Sequence, residues 1–404
     1  MRLRPRHRAV LALVLVIVVL ATVRIISGAH ELTSGGTVGA ALVLAVPIGL
    51  AALGGLWAER SGIINIGLEG MMILGTWFGG WGAYMFGSPW MGLLTGVLGG
   101  ALGGLIHALA TVTFAVDHIV SGVAINILAF GLARYLSIVY FAEKEGGGAS
   151  QSPPLPGFGS VGVPGVGAPL ARLEQTHWFL LADLAGIVRG LTTGLSVLTL
   201  IALLLVPLSY VILWRTSLGL RLRSVGENPV AAESLGVPVY TMKYLAVVIS
   251  GALAGLGGVF LAMVASSAYQ EGQTGGRGYI GLAAMIFGNW RPGGLAAGAG
   301  LFGFADALQL RGNIDAVHAL LLVVAAGLGV LAVVAAMRRR PVAAVLSAVF
   351  AAALFAWFFA SDTVPRQIVS YTPHITTLLV LSLATQRLRP PAADGLRYRK
   401  GEGG

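Results

Sequence analysis

Cysteine is absent from the 404 residues, which excludes disulfide bonds, thiolate catalysis and cysteine-ligated metal. Charge is nearly as scarce: Asp, Glu, Lys and Arg make up 10% of the chain, against about 25% in soluble domains. With 56% hydrophobic residues and a mean hydropathy of +0.85, most of the chain cannot face water. The longest stretch without a strong apolar run is 143–189, which leaves no room for a soluble domain of ordinary size. Nucleotide-hydrolysis machinery is missing too. A P-loop sets its lysine in G-K-[ST], whereas Lys144, Lys243 and Lys400 stand in E-K-E, M-K-Y and R-K-G, so any ATPase is another chain. No carboxylate pair, nucleophile triad or metal-ligand spacing stands out, and no catalytic residue, cofactor or metal is expected.

What is present reads as an all-α polytopic membrane protein. Runs long enough to cross the hydrocarbon layer fall at about 9–27, 38–58, 64–86, 90–115, 119–141, 192–214, 244–266, 315–336, 343–360 and 372–386. Two shorter runs, 279–290 and 293–310, flank the break Asn289-Trp290-Arg291-Pro292. The formal charge of +10 is a matter of topology rather than of a nucleic-acid partner. Sixteen of the 26 Lys and Arg cluster in four groups, at residues 2–8, 215–243, 338–340 and 387–400, all assigned to the cytoplasmic side. Both termini are then cytoplasmic, and the count closes only if the two short runs cross together or dip in and return as a re-entrant or broken pair. Arg2 to Arg8 before an apolar run resembles a signal peptide, but the run continues to Ile26 without an A-x-A site, so it reads as a retained helix.

Two segments repeat. GLAALGGLW (49–57) is followed after about 8 residues by IGLEGMMILG, and GALAGLGGVF (251–260) is followed after about 19 by IGLAAMIFG. Chance likeness in Gly/Ala/Leu-rich sequence is the alternative to duplication. On the charge-derived topology the copies run in opposite directions, an inverted repeat of the kind that builds transport pathways between its halves. The segments divide as 1–30, tail and first helix; 31–142, first repeat; 143–190, external loop; 191–214, sixth helix; 215–243, cytoplasmic loop; 244–336, second repeat; 337–386, C-terminal helices; and 387–404, cytoplasmic tail. The Pro- and Gly-rich external loop reads as a docking surface, a lid or a disordered linker.

In the cytoplasmic loop, Asn228 is placed to cap a short helix with Pro229 at its first position, followed by Ala231, Ala232 and Glu233, and stopped by Gly236; Gly226 is punctuation before it. Such a helix either seats in another protein or belongs to a basic loop that merely sets orientation. Polar groups inside spans need a role. Asn65 and Glu69, four apart, share a face if that piece is helical, and either line a pathway or satisfy broken backbone. Asn126 lines the pathway or joins helices, and Arg134 reaches toward the outer surface. Gln273, Asn289, Trp290 and Arg291 are the polar groups of the second copy, with Trp290 or Phe287 able to stack on a ring or simply to pack. Glu59 and Arg60 read as an ion pair or interface anchors rather than substrate contacts, and His107 and His118 as structural rather than as a proton relay.

WAERSGIINIGLEGMMILGTWFG (57–79), GENPVAAESLGV (226–237) running into YLAVVISGALAGLGGVFLA, and GGRGYIGLAAMIFGNWRPGG (275–294) resemble permease subunits of bacterial ABC importers for nucleosides and simple sugars, a family broadly similar to the ribose and branched-chain amino acid permeases. The resemblance implies that Gly226, Glu227, Asn228, Pro229, Ala231, Ala232, Glu233 and Gly236 form the coupling element for a cytoplasmic ATPase. It also implies a second permease subunit, identical or homologous, and an extracytoplasmic substrate-binding lipoprotein or protein, with ATP-driven alternating access. An ion-coupled secondary transporter and a non-transporting membrane scaffold are the rival readings.

Overall fold

The computed structural model describes residues 5–311, 314–365, 371 and 388–401. Among them lie fifteen α-helices: α1 (Pro5–Ser27), α2 (Gly35–Glu59), α3 (Leu68–Phe86), α4 (Pro89–Ala108), α5 (His118–Phe141), α6 (Gly167–Gln175), α7 (Leu181–Thr192), α8 (Val197–Arg215), α9 (Ser217–Glu227), α10 (Pro229–Ser234), α11 (Val239–Phe260), α12 (Arg277–Phe287), α13 (Pro292–Leu310), α14 (Ile314–Met337) and α15 (Pro341–Ala360). Helices α4, α10, α13 and α15 each follow a non-helical residue and open on proline, whose missing N–H costs nothing in a first turn. Among the described residues, strand is confined to a two-residue antiparallel ladder between Ser160–Val161 and Leu195–Ser196. The protein is an all-α polytopic membrane protein.

Among the described residues, seven helices are long and apolar enough to span: α2, α5, α8, α14, α15, and α4 and α11 each with the π turn that ends it (Leu109–Thr113 and Leu261–Ala265). The expected span 372–386 lies outside the described residues. Helix α12, at 11 residues, extends about 16 Å and cannot cross a hydrocarbon layer about 30 Å thick. It folds back on α13 as a tight hairpin, in which a Cβ on Gly288 would meet Leu295 Cα at 2.7 Å and one on Gly298 would meet Ala284 Cα at 3.3 Å. The expected break at Asn289–Pro292 falls in the turn of this hairpin. The Pro/Gly-rich stretch after α5 carries two helices, α6 and α7, that its composition did not suggest; Pro and Gly rule out one long helix, not two short ones. Residues 148–155 are ordered, because Ser152 N–H donates to Tyr269 O at 3.0 Å and Leu155 N–H to Ser267 O at 2.9 Å.

The described residues group into two compact units. One draws on the chain up to Leu42, on Gly162–Gly194 and on the chain from Phe304 through α15. Its apolar core joins Val23, Leu32, Leu308, Leu322 and Phe358. A buried ion pair, Arg24 Nε to Asp183 Oδ1 at 2.7 Å, crosses it, and Thr33 Oγ1 donates to the same oxygen at 2.6 Å. The second unit draws on Val43–Val161, Leu195–Gly303 and the tail 388–401. At its centre α11 lies on α4 with backbones almost touching, since a Cβ on Gly255 would sit 2.8 Å from Gly100 Cα and one on Gly251 would sit 2.9 Å from Gly104 Cα. Glycine permits this approach, and the van der Waals contact it gives is what holds helices together where no water drives them together. Helix α2 runs antiparallel to α11: Gly54 faces Ser250 and Gly257 faces Pro47. The first helices of the two repeated segments therefore point in opposite directions.

Candidate functional site

Between α2 and α3 the backbone of residues 60–67 leaves helical geometry, with Gly62 at φ +83°. Peptide groups there have lost their helical partners and must find others within the protein. Ile64 N–H donates to His118 Nδ1 at 3.3 Å, and Ile64 O lies 3.1 Å from His107 Nε2, whose Nδ1 meets Ser121 Oγ at 2.9 Å. Asn126 Nδ2 donates to Ile66 O at 3.1 Å, while its Oδ1 accepts Gly70 N–H at 2.7 Å. The two histidines thus hold broken backbone, as a structural reading of them expects.

Asn65 and Glu69 do not share a helix face. Asn65 stays in the irregular segment, where its Nδ2 donates to Ser250 Oγ on α11 at 2.9 Å, and only Glu69 is helical. The Glu69 carboxylate leaves its own helix to cap α12, accepting Gly276 N–H at 2.9 Å and Gly278 N–H at 2.7 Å. A negative group at these orphaned donors is favoured by both hydrogen bonding and the helix dipole. The starts of α3 and α12 consequently confront one another, and a Cβ on Gly278 would meet Glu69 Cα at 2.6 Å. Beside this junction Asn126 Nδ2 also donates to the hydroxyl of Tyr279, a residue 47% exposed that sequence reasoning passed over. Gln273 receives Ser266 Oγ on its Oε1 at 3.1 Å, and its buried Nε2 has no partner among the described residues. Neutral donors and acceptors of this kind suit a hydroxyl-bearing solute better than an ion.

The turn between α12 and α13 is stretched over two left-handed non-glycine residues, Asn289 at φ +53° and Trp290 at +52°. Trp290 is not open to a ring ligand. It is 5% exposed, its indole N–H donates to Glu59 Oε2 at 2.5 Å, and its carbonyl accepts Arg60 Nη2 at 2.7 Å. Glu59 and Arg60 thus both reach Trp290. Phe287 is part-buried and packs near Gly298. Arg134 does not simply extend toward the surface; its Nη1 pairs with Glu271 Oε1 at 3.0 Å.

The loop after α8 holds two helices, not one. Thr216 Oγ1 caps α9 by accepting Gly219 N–H at 3.2 Å, a signal present in the sequence as Thr-Ser before an amphipathic run. Gly226 falls inside the last turn of α9 rather than punctuating a loop, because its Cα lies against the Arg60 to Gly62 backbone, where a Cβ would meet Gly62 N at 3.2 Å. Asn228 then caps α10, its Oδ1 accepting Ala231 N–H at 3.0 Å, with Pro229 first and Gly236 at φ +78° after the end. Ala232 is buried, Glu233 half-buried, and Leu235 at the tip is 86% exposed.

Residues 388–398 strap this elbow, which sequence reasoning left as a plain tail. Ala393 N–H donates to Gly226 O at 2.9 Å, Ala392 N–H to Glu227 Oε2 at 3.2 Å, Arg389 N–H to Asn289 Oδ1 at 2.8 Å and Gly395 N–H to Gly62 O at 3.3 Å. The Tyr398 hydroxyl donates to Glu233 Oε2 at 2.5 Å, and Lys243 Nζ lies 5.7 Å from the Tyr398 ring centre. Burial pushes the Asp394 carboxyl up to about 6, opposed by a hydrogen bond with Glu59 and by the Lys243 charge. The pairs Pro390-Pro391 and Asp394-Gly395 are the turn signals that mark this strap in the sequence.

Comparison with known proteins places these features in a family. Residues 37–312 match the family described as branched-chain amino acid transport system, permease component. The chain is 36% identical over 281 residues to the guanosine ABC transporter permease protein NupQ of Bacillus subtilis, covering 68% of this chain and 82% of the relative. It is 31% identical to the nucleoside ABC transporter permease protein NupC of Lactococcus lactis, over 89% of this chain and 95% of the relative, and 31% identical to a protein named putative glucose ABC transporter permease TsgC13 of Haloferax volcanii, over 88% and 93%. No solved structure matches. Helices fit for a membrane, backbone broken where two helix starts meet, and a match over most of its length together show that the chain belongs to this permease family, a multi-pass transport subunit of an ABC transporter and not an enzyme.

Proposed function

We propose that the chain is the permease of an importer for nucleosides or simple sugars, with α10 as the contact through which a separate cytoplasmic ATPase drives alternating access. One observation carries the coupling assignment. In α10 the small Ala232 faces inward at 3% exposure while Leu235, at the end of a charged loop, is 86% exposed. An apolar tip on a polar, well-capped knob is favourable only when another surface covers it. Gly226, Glu227, Asn228, Pro229, Ala231, Glu233 and Gly236 shape and hold that knob. On this reading both termini are cytoplasmic, residues 143–190 are external, and the partners are the ATPase, a second permease subunit that is identical or homologous, and an extracytoplasmic substrate-binding lipoprotein or protein.

The relatives named for guanosine, nucleoside and glucose support the substrate class. So does the neutral polar chemistry of Asn126 and Tyr279 beside the junction of α3 and α12, where we place the pathway and where the Glu69 carboxylate is already taken up by the α12 cap. Asn65 and Glu69 shape it, Asn126 with Tyr279 offers donors and acceptors, and Gln273, Phe287, Asn289 and Trp290 belong to the second copy that frames it. The test is Leu235→Asp in cells carrying the full transporter. Uptake of labelled nucleoside and co-purification of the ATPase should both fall at least tenfold, roughly the effect of losing an interface anchor worth more than about 1.4 kcal/mol, with membrane abundance unchanged. Undiminished uptake defeats the coupling role, and uptake that follows an ion gradient without a second chain defeats the importer.

A further inference from the structure

Two cavities of the second unit share Trp214 and Arg291 in their walls. The first, about 550 Å³, is an apolar groove between the end of α8 and the start of α13, walled by Val206, Pro207, Tyr210 and Trp214 on one side and by Pro292 and Gly293 on the other. The second, about 700 Å³, is polar and is lined by Arg60, Arg291 and Arg389, with Glu227 as the single carboxylate among the described lining residues. Arg60 and Arg223 lie on the Trp214 ring at 5.3 and 5.5 Å, and Tyr210 stacks on the same indole at 5.8 Å. Glu227 is already engaged by Ala392 N–H. Among the described residues none of these four guanidiniums makes an ion pair, and Arg60 Nε is buried without a hydrogen-bond partner. Arg291 also sits at the start of α13, whose first N–H groups have no partner within the helix and favour an anion.

An arginine cluster opening onto an apolar groove, at the Trp- and Arg-bearing end of a spanning helix, has the two-part chemistry of a phospholipid: an anionic phosphate above and a hydrocarbon chain below. We infer that these adjoining cavities bind one anionic phospholipid, its phosphate among Arg60, Arg291 and Arg389 and an acyl chain along Val206, Tyr210 and Gly293. A free phosphate-bearing solute satisfies the arginines but leaves the groove unused. An acidic surface of a partner protein satisfies them in the same limited way. The assignment is indifferent to which side of the membrane this edge faces and to what is transported.

The test is native mass spectrometry of the full chain in mild detergent, titrated with dioleoyl phosphatidylglycerol, with dioleoyl phosphatidylcholine, and with glycerol phosphate as the headgroup alone. Phosphatidylglycerol should be retained preferentially. Arg291→Gln and Arg389→Gln should each weaken that retention about fivefold and weaken phosphatidylcholine, whose ammonium offsets its phosphate charge, by less, and Arg291→Lys should restore most of the loss. Gly293→Leu, whose side chain enters open space in the groove, should weaken both lipids while the protein stays monodisperse. Equal retention of the two lipids overturns the proposal. So does displacement of phosphatidylglycerol by equimolar glycerol phosphate, which marks a free-anion site. Arginine variants that lose only the ATPase, with lipid retention intact, overturn it in favour of a protein contact.

Discussion

Glu69 on α3 caps Gly278 on α12: its Oε2 accepts the Gly278 N–H at 2.7 Å while Oε1 accepts that of Gly276. Two helices that share no sequence neighbourhood are held start to start by one carboxylate. Glu69→Ala strips one buried and one part-buried donor of their acceptor and should lower unfolding stability in detergent by about 2 kcal/mol. Glu69→Gln keeps one acceptor oxygen and should fall between. Thermal unfolding of the three purified proteins decides this, and an alanine variant as stable as the parent would remove the cap from the account.

The contact of α4 with α11 depends on side chains that are not there. Gly255→Leu would drive its Cβ to 2.8 Å from Gly100 Cα and should abolish monodisperse protein, whereas Gly131→Leu, with nothing within 4 Å, should be silent. Size-exclusion profiles distinguish the two.

Asn228→Ala removes the α10 cap and should cost about 1 kcal/mol, seen as faster amide exchange over residues 230–235. Asn228→Asp keeps an acceptor and should exchange like the parent. If both variants exchange alike, the cap is not what orders α10.

Strap docking should weaken as pH rises. The Asp394 pKa in the folded protein, about 6, lies above its ordinary value of 3.8, so the folded state binds the proton more tightly. Its stabilisation is complete below about pH 4, declines as pH climbs to about 6, and is level above that. Exchange of the Ala393 amide, corrected for intrinsic rate, should therefore slow between pH 7.5 and pH 5, and Asp394→Asn should flatten the profile. Protection that increases with pH contradicts the sign.

In the first unit, Arg24→Met leaves Asp183 buried and unpaired and should destabilise by about 3–5 kcal/mol. Arg24→Met with Asp183→Leu should recover most of the loss, and a double variant no better than the single one would show that the charges carry more than their mutual pairing.

The seven long apolar helices were legible because apolar runs of about 20 residues have no alternative reading, and the break between α12 and α13 was legible in Asn289-Trp290-Arg291-Pro292. Asn228, Pro229 and Gly236 foretold α10, since cap, first-turn proline and left-handed stop are local chemistry. Partners distant in sequence were not legible. Nothing local links Glu69 to Gly278, Trp290 to Glu59, or Ala393 to Gly226, and a face-sharing pattern for Asn65 and Glu69 presumed a helix that starts only at Leu68. Tyr279 was passed over because a lone tyrosine in an apolar helix has no sequence mark beyond its type.

The strap also imposes an order on biosynthesis. Glu227 and Gly226 leave the ribosome some 165 residues before the peptides that bond to them, so the elbow must wait, with Gly226 and Gly62 carbonyls bare of these partners, while α11 to α15 are made. A polypeptide released before residue 388 would keep its spans yet never close the elbow, and such unfinished molecules should be distinguishable by the very surface a motor would grip.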